Sequence, residues 1–314
     1  MKVSVPITTY NHERYIARAI EGALMQRTDF DYEILVGEDC STDRTRDIVT
    51  EFQRRFPGRV RALLHEQNLG LKGKRNFVRT LGECKGQYVA MLEGDDYWTS
   101  PDKLQKQVEY LDSHPECSIC FHDVTVVYED GSKEPHRFCP AGQKEISTIE
   151  DLLKGNFMST CSVMFRRGLF GEFPAWFYEV LVGDWPLHIF NAVHGRIGYL
   201  DEVMGAYRVS GGGVWALQSR APQLSDSIRV LDYADTYLRG KYTGLIRATK
   251  SSWYFQLAEV YEASGEIGRA RTSLLKSFAE SFFSTGISDK PFLRLLLKLY
   301  APSLYRLSRT LSKA

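Results

Sequence analysis

The sequence predicts an α/β fold: a doubly wound, mostly parallel sheet over residues 1–220, then a C-terminal helical extension over 221–314. Three observations predict it. Short apolar runs alternate with helix-period segments three times early in the chain. A polar cluster follows each strand-like run, at Tyr10-Asn11, Glu38-Asp39, Asn68 and Asp95-Asp96, and ligands of such sheets bind beyond the carboxyl ends of the strands. From about residue 220 strand signals cease and helical periodicity takes over.

Val3-Ser4-Val5-Pro6-Ile7 reads as the first strand. Pro6 has no N–H for a ladder, so it belongs at the strand's end or at an irregularity. Thr8-Thr9-Tyr10-Asn11 is a loop, with Asn11 expected to cap a helix whose face carries Tyr15, Ile16, Ala19, Ile20, Ala23 and Leu24. The second strand, from Tyr32 to Gly37, runs into Glu38-Asp39-Cys40-Ser41-Thr42-Asp43. Ser41 or Thr42 is expected to cap the helix through Ile48, Val49 and Phe52, which stops before Pro57-Gly58. Val60 to Leu64 is the third strand, and a helix with Asn76, Phe77 and Leu81 follows His65 to Gly70. Tyr88 to Leu92 is long enough for a buried strand and ends in Glu93-Gly94-Asp95-Asp96. Ser100-Pro101 is expected to open a helix with the stripe Leu104, Val108, Leu111. Residues 117–128, Cys161 to Phe165 and Ile197 to Leu200 read as strands, and Ile149 to Leu153 as a short helix. Beyond residue 220, Trp253, Leu257, Tyr261, Gly265, Ala270 and Leu274 have the pattern of one tetratricopeptide-type hairpin. One such repeat cannot form a solenoid, so a helical bundle packed on the main domain is expected.

Composition excludes several classes. The 314 residues are 43% hydrophobic and 25% charged, as in ordinary globular proteins. A net charge of +1 gives no footprint for nucleic acid. No stretch reaches the roughly 18 apolar residues of a membrane span, and Met1-Lys2 leads straight into the first strand without an apolar leader. Six cysteines in this length make no disulfide scaffold, and Cys117 and Cys120, three apart on a strand, are expected in the core. A cytosolic, reduced chain is the expected setting, either free in the cytoplasm or peripheral at the inner face of the plasma membrane. No G-x-G-x-x-G or P-loop pattern follows the first strand, which argues against a dinucleotide dehydrogenase or a P-loop enzyme.

The acidic turn after Leu92 admits two readings. Crowded carboxylates repel one another and cost desolvation energy, so they mark a solvated turn with Gly94 at positive φ or a site for a hard divalent cation shared with phosphates. Asp184, in Val182-Gly183-Asp184-Trp185-Pro186, stands alone among apolar residues before a helix. It is either a helix cap or a base with a raised pKa. The glycines Gly211 to Gly213 permit a backbone that closes over a ligand, or a loop with no contact. The segment from Phe292 to Leu311 mixes Leu, Tyr and Phe with Arg294, Lys298, Arg306, Arg309 and Lys313. Such a segment either packs on the protein or lies on an anionic membrane surface.

Taken together, these motifs resemble the family-2 glycosyltransferases, of GT-A fold, over residues 1 to about 220. Val3-Ser4-Val5 with Thr9, Tyr10 and Asn11 is similar to the family's opening strand and nucleotide loop. Glu38-Asp39-Cys40-Ser41-Thr42-Asp43 is similar to its D-x-S-x-D segment, which implies that Asp39 holds the nucleobase. Asn68-Leu69-Gly70 with Arg75-Asn76 resembles its N-x-G and following helix. Glu93-Gly94-Asp95-Asp96 resembles the D-x-D region, implying that Glu93 and Asp95 contact donor and that Asp95 and Asp96 hold Mn2+ or Mg2+. Gly183-Asp184-Trp185 resembles the catalytic-base motif, with Trp185 beside substrate. Tyr207-Arg208 with Gly211 to Trp215 resembles the closing loop, with Arg208 and Trp215 on substrate. The resemblance implies inverting transfer from a nucleotide-sugar donor, UDP being the usual carrier, to a hydroxyl of a glycan or lipid-linked glycan in cell-envelope polysaccharide synthesis. Ser210 stands where many relatives carry histidine, and the Q-x-x-R-W motif of processive synthases is missing. A nucleotidyltransferase would need a Gly-rich basic loop where Thr8-Thr9-Tyr10-Asn11 stands. A non-catalytic sugar-binding protein on a decayed transferase fold is the remaining alternative, and the intact carboxylates argue against decay.

Overall fold

A computed structural model describes residues 1–210, 215, 218–281, 289–303 and 305. The chain divides into two compact units: Met1–Leu152 with Asn156–Ala216, and Leu153–Gly155 with Leu217–Ala314.

In chain order the first unit contains β1 (Val3–Thr9), α1 (Ile16–Leu24), β2 (Tyr32–Glu38), α2 (Thr45–Arg55), β3 (Val60–Leu64), α3 (Lys74–Gly82), β4 (Tyr88–Ala90), β5 (Leu92–Glu93) and β6 (Tyr97–Trp98). It continues with α4 (Lys103–Ser113), β7 (Cys117–Tyr128), β8 (His136–Arg137), β9 (Ile146–Ser147), α5 (Ile149–Leu152), β10 (Met164–Arg166), α6 (Asp184–Ala192) and β11 (Arg196–Val209). The strands form one sheet in the order β3-β2-β1-β4-β10-β7-β11-β6, with β5 beside β1. β1 runs parallel to β2, β4 and β5, β2 to β3, and β7 to β11, while β10 runs antiparallel to both its neighbours. The expected α/β, mostly parallel sheet is therefore present. Its core joins Val3, Val5 and Ile7 of β1, Ile16 and Ile20 of α1, Ile34 and Val36 of β2, and Leu104 and Leu111 of α4.

Pro6 lies inside β1, paired with Leu35. On the other side of β1 the ladder is interrupted between Ser4↔Val89 and Ile7↔Leu92, where Pro6 has no N–H to give. Met91, between those registers, donates its N–H to Val163 O instead, so the single expected run from Tyr88 to Leu92 is two short strands.

Local details differ from the sequence expectations for identifiable reasons. Asn11 does not cap α1, which begins at Ile16; Asn11 has φ +54° and its Oδ1 accepts the Thr42 N–H at 2.8 Å. Ser41 and Thr42 do not cap α2, because Ser41 Oγ accepts the Asn11 N–H at 2.9 Å and the helix starts two residues beyond Asp43. Asp43 Oδ1 takes the Thr45 N–H there, at 2.9 Å. The two strand-end loops thus spend their polar side chains on each other. Pro101 precedes α4 rather than opening it. Cys161 lies in a one-turn 3-10 segment, Thr160–Ser162, and the strand expected from it starts at Met164. The short strand expected at Ile197 is the start of fourteen-residue β11, whose bulges keep it in register with β7 as far as Val209. Cys117 and Cys120 are buried, free thiols in β7.

The second unit contains α7 (Arg220–Tyr237), α8 (Thr243–Ala263), α9 (Ile267–Ser281) and α10 (Asp289–Tyr300). Gly265, at φ +78°, turns α8 into α9, and Ala258, Ala270 and Leu274 pack in the hairpin with Leu295 and Leu299 of α10. No described helix is long and apolar enough to cross a membrane.

Candidate active site

The polar strand ends of β1, β2 and β3 meet through hydrogen bonds. Asp39 is 1% exposed; its N–H donates to Thr9 O at 3.1 Å and its Oδ1 accepts the Leu69 N–H at 2.8 Å. Asn68 Nδ2 donates to Asp39 O at 3.1 Å, and Asn68 Oδ1 accepts the Gly70 N–H. Asn68 therefore shapes the loop that holds Asp39. Tyr10 and Asn11 are exposed beside this edge. Arg75 is exposed on α3, with Nη1 3.4 Å from Leu69 O.

Two residues that the resemblance implies at the ligand make bracing contacts within the domain. Glu38 is fully enclosed: Oε1 accepts the Ser41 N–H and Oε2 pairs with Arg46 Nε. Asn76 is 1% exposed; its Nδ2 donates to Gly37 O at 2.8 Å and its Oδ1 meets His65 Nε2 at 3.0 Å. A Cβ on Gly37 would fall 2.0 Å from Thr80 Oγ1 and 2.5 Å from Asn76 Oδ1, so only glycine lets α3 approach β2 this closely.

The acidic turn is pressed against the end of β1. Gly94 donates its N–H to Thr8 O at 3.0 Å, and a Cβ there would sit 2.8 Å from both Thr9 Oγ1 and His12 Nδ1. Gly94 is not among the positive-φ glycines, so close approach, rather than the expected positive φ, requires it. Asp96 is 3% exposed, and its Oδ1 accepts the Arg208 N–H at 2.7 Å. Arg208 Nε donates to Asp95 O at 2.8 Å, and its guanidinium lies 4.8 Å from the Tyr15 ring centroid and 5.2 Å from that of Tyr97. Burial, then the charges of Asp96, Asp95 and Asp184, hold the Glu93 carboxyl well above its usual range. Burial and Asp95 do the same to Asp96, against the Arg208 N–H. Glu93 Oε2 and Thr9 Oγ1 are buried without a hydrogen-bond partner.

Asp184 is the first residue of α6, with Gly183 in the cap position and no side-chain cap bond there. Its Oδ2 accepts from Asn156 Nδ2 at 2.9 Å and stands 3.5 Å from Thr160 Oγ1. Burial raises its pKa; the Trp185 and Asp184 N–H groups and these two side chains pull it back. Trp185, expected beside substrate, is 3% exposed and donates Nε1 to Leu152 O at 3.1 Å, so it anchors α6 in the interior. Trp215 is described at its own position, while Gly211 to Val214 lie outside the described residues.

The sequence reasoning named neither Asn156 nor Thr160, and gave Tyr207 only as part of the segment resembling the closing loop. Tyr207 feels Asp96, Asp184, Asp95 and Glu93 together, and these charges with burial raise its phenol pKa. Its adjacency to Arg208 was the available signal; Asn156 and Thr160 carried none.

Among the described residues no three His, Cys, Asp or Glu side chains converge to hold a metal by themselves. The buried unpartnered Glu93 oxygen and the raised carboxyls of Glu93 and Asp96 are hard oxygen donors, of the chemistry that suits a divalent cation.

Three comparisons bear on this arrangement. The family described as glycosyl transferase family 2 matches residues 4–173. An uncharacterized protein of Mycobacterium tuberculosis is 42% identical over 214 residues, 68% of this chain; the chain spans 60% of that relative's length. The crystal structure of Staphylococcus aureus TarS 1–349 superposes with a TM-score of 0.67 at 19% identity, over 95% of this chain and 86% of that one, and TarS has also been solved with UDP-GlcNAc. A mannosyltransferase from Pyrobaculum calidifontis, solved with GDP-Man and Mn2+, superposes at 0.59 and 18% identity, over 99% of this chain and 83% of that one. The GT-A fold expected from the sequence is the fold found.

Proposed function

The chain belongs to glycosyl transferase family 2, and from that membership we propose that it moves a sugar, with inversion, from a UDP-sugar to a hydroxyl of a glycan or lipid-linked glycan in cell-envelope polysaccharide synthesis. One observation carries the reading: Asp184, at the start of α6, lies close enough to the β5–β6 turn for its charge to help raise the Glu93 carboxyl, along with burial, Asp96 and Asp95. TarS, a poly(ribitol-phosphate) β-N-acetylglucosaminyltransferase by name, supports an envelope acceptor and a UDP donor.

Asp39, held by Leu69 N–H, receives the nucleobase at the ends of β1 and β2. Thr9, Tyr10, Asn11 and Arg75 border it. Arg208, fixed on the Asp95 carbonyl, offers its guanidinium to the diphosphate. Asp95 and Asp96 would hold Mn2+ or Mg2+, the rest of its shell coming from phosphate and water. When bound, the cation supplies Lewis-acid neutralisation of the leaving diphosphate. Asp184 takes the proton of the acceptor hydroxyl; that oxygen bonds to the anomeric carbon as the bond to the diphosphate breaks on the opposite face. A base raised by burial is suited to accept that proton near neutral pH.

The deciding experiment is calorimetry and thermal shift with nucleoside diphosphates, with and without Mn2+, followed by nucleotide-sugar turnover. Metal-dependent binding of one nucleotide, abolished in Asp95→Ala or Asp96→Ala, is the expected result. Binding of none would favour the non-catalytic alternative. In the catalytic reading, residues 1–220 are the transferase domain and 221–314 the extension that meets an anionic membrane; exposed Leu293 and Tyr300 on α10 support the latter. Arg306, Arg309 and Lys313 of that segment lie outside the described residues. Deletion of 290–314 is expected to abolish sedimentation with anionic liposomes.

A further inference from the structure

We infer that Asn156, assisted by Thr160, is the positioning residue of the catalytic base: it clamps Asp184 Oδ2 so that Oδ1 is the oxygen presented to the acceptor hydroxyl. The inference rests on the assignment of Asp184 as base.

Three features of the geometry carry it. First, both side-chain donors meet one oxygen: Asn156 Nδ2 at 2.9 Å and Thr160 Oγ1 at 3.5 Å both lie against Oδ2. Second, the Asn156 amide has a defined orientation. Its Oδ1 accepts the Met158 N–H at 3.2 Å, so its NH2 group must face Asp184. Third, the segment bearing both donors is fastened to the sheet. Met158 is 1% exposed, Ser162 Oγ and N–H both donate to Ser159 O, and Val163 O accepts the Met91 N–H beside the acidic turn. Asp184 is held from its own side by α6, whose Trp185 is tied to Leu152 O. The carboxylate is thus gripped between two fixed elements, which sets the orientation a general base needs before substrate arrives.

The other titratable groups facing Asp184 are Glu93 on β5 and Tyr207 on β11. Among the described residues neither donates a hydrogen bond to it, and Glu93 can only oppose its ionisation. Asn156 and Thr160 favour the ionised form, because each donates to it. Their loss therefore raises the pKa of the base, and the acidic limb of the rate profile moves to higher pH.

The test compares Asn156→Ala, Asn156→Gln and Thr160→Val with wild type in sugar transfer. Expected for Asn156→Ala are a fall in kcat of about tenfold or more, as for loss of a hydrogen bond to a charged group, a donor KM within about twofold, and an acidic limb shifted upward. Asn156→Gln should restore part of kcat and return the limb toward wild type, and Thr160→Val should move both in the direction of Asn156→Ala by less. Unchanged kcat and an unmoved limb in Asn156→Ala overturn the inference. A loss in Asn156→Ala confined to donor KM with the limb unmoved also overturns it, as does a lowered melting temperature in Asn156→Ala if Thr160→Val then leaves kcat and the limb unmoved. Asp184→Asn, run alongside, separates the two assignments. If it retains wild-type turnover, the base assignment itself is wrong; if it is inactive while Asn156→Ala is silent, only the positioning role is wrong.

Discussion

Arg208 donates its backbone N–H to Asp96 Oδ1 at 2.7 Å, across 112 positions of sequence. The same residue donates Nε to the Asp95 carbonyl. One residue of β11 thereby latches both aspartates of the acidic turn, and leaves the remaining guanidinium N–H groups between the Tyr15 and Tyr97 rings.

Replacing Arg208 with alanine keeps the backbone bond to Asp96 and removes only the guanidinium. The affinity for a nucleoside diphosphate should fall about ten- to a hundredfold, the loss of a charge-assisted hydrogen bond. Affinity for the uncharged nucleoside should hold. Calorimetry with UDP and uridine checks this; equal losses for both ligands would place Arg208 outside the phosphate site.

Asp184→Asn should bind donor with nearly wild-type affinity, while kcat falls by about 10²–10⁴, the usual contribution of a general base. Single-turnover transfer with calorimetry of the donor separates the two effects. In the wild type, activity should fall with acidification along a limb displaced upward from that of an ordinary aspartate, because burial raises this carboxyl.

Gly37→Ala should destabilise by about 1–3 kcal/mol, the cost of overpacking, since its Cβ meets Thr80 Oγ1 and Asn76 Oδ1. The melting temperature should drop by several degrees. Gly82→Ala, at the end of α3 with no atom within 4 Å of its new Cβ, is the control and should be neutral or slightly stabilising.

His188 predicts an acid-sensitive core. It is fully buried in α6, neither ring nitrogen has a partner, and burial depresses its pKa from 6.5 to about 3. Below pH 6.5 the unfolded chain binds a proton that the folded chain refuses, so stability falls with pH until about pH 3. At pH 5 the loss from this residue is about 2 kcal/mol. Denaturant titrations of His188→Leu should show a shallower decline between pH 7 and 5; parallel declines in variant and wild type would refute it.

Much of the fold was legible in the sequence because its signals are local. The apolar runs of β1, β2 and β3 and the stripe of α4 depend on spacing within a few residues, and Cys117–Tyr128 is legible as a strand from the apolar and β-branched runs on either side of His122-Asp123. Strand-end topology also placed Asp39, Asn68 and the acidic turn at one edge. Local propensity then misled wherever a polar side chain had a distant alternative. Asn11 and Ser41 looked like helix caps and bond each other's loops. Glu38, Asn76 and Trp185, which the family resemblance implied as donor or substrate contacts, make bracing contacts to Arg46, Gly37 and Leu152 in this structure.

By itself, then, the sequence determined the element types, the mostly parallel sheet and the family, because periodicity, turn residues and motif order are properties of neighbouring positions. Only the tertiary structure decided which polar groups face a ligand and which face one another. A carboxylate or amide has several competent partners, and the choice among them depends on burial and on atoms brought close from remote parts of the chain. Asp96 and Arg208, or Asn156 and Asp184, acquire their roles only when the folded sheet brings them within hydrogen-bond reach.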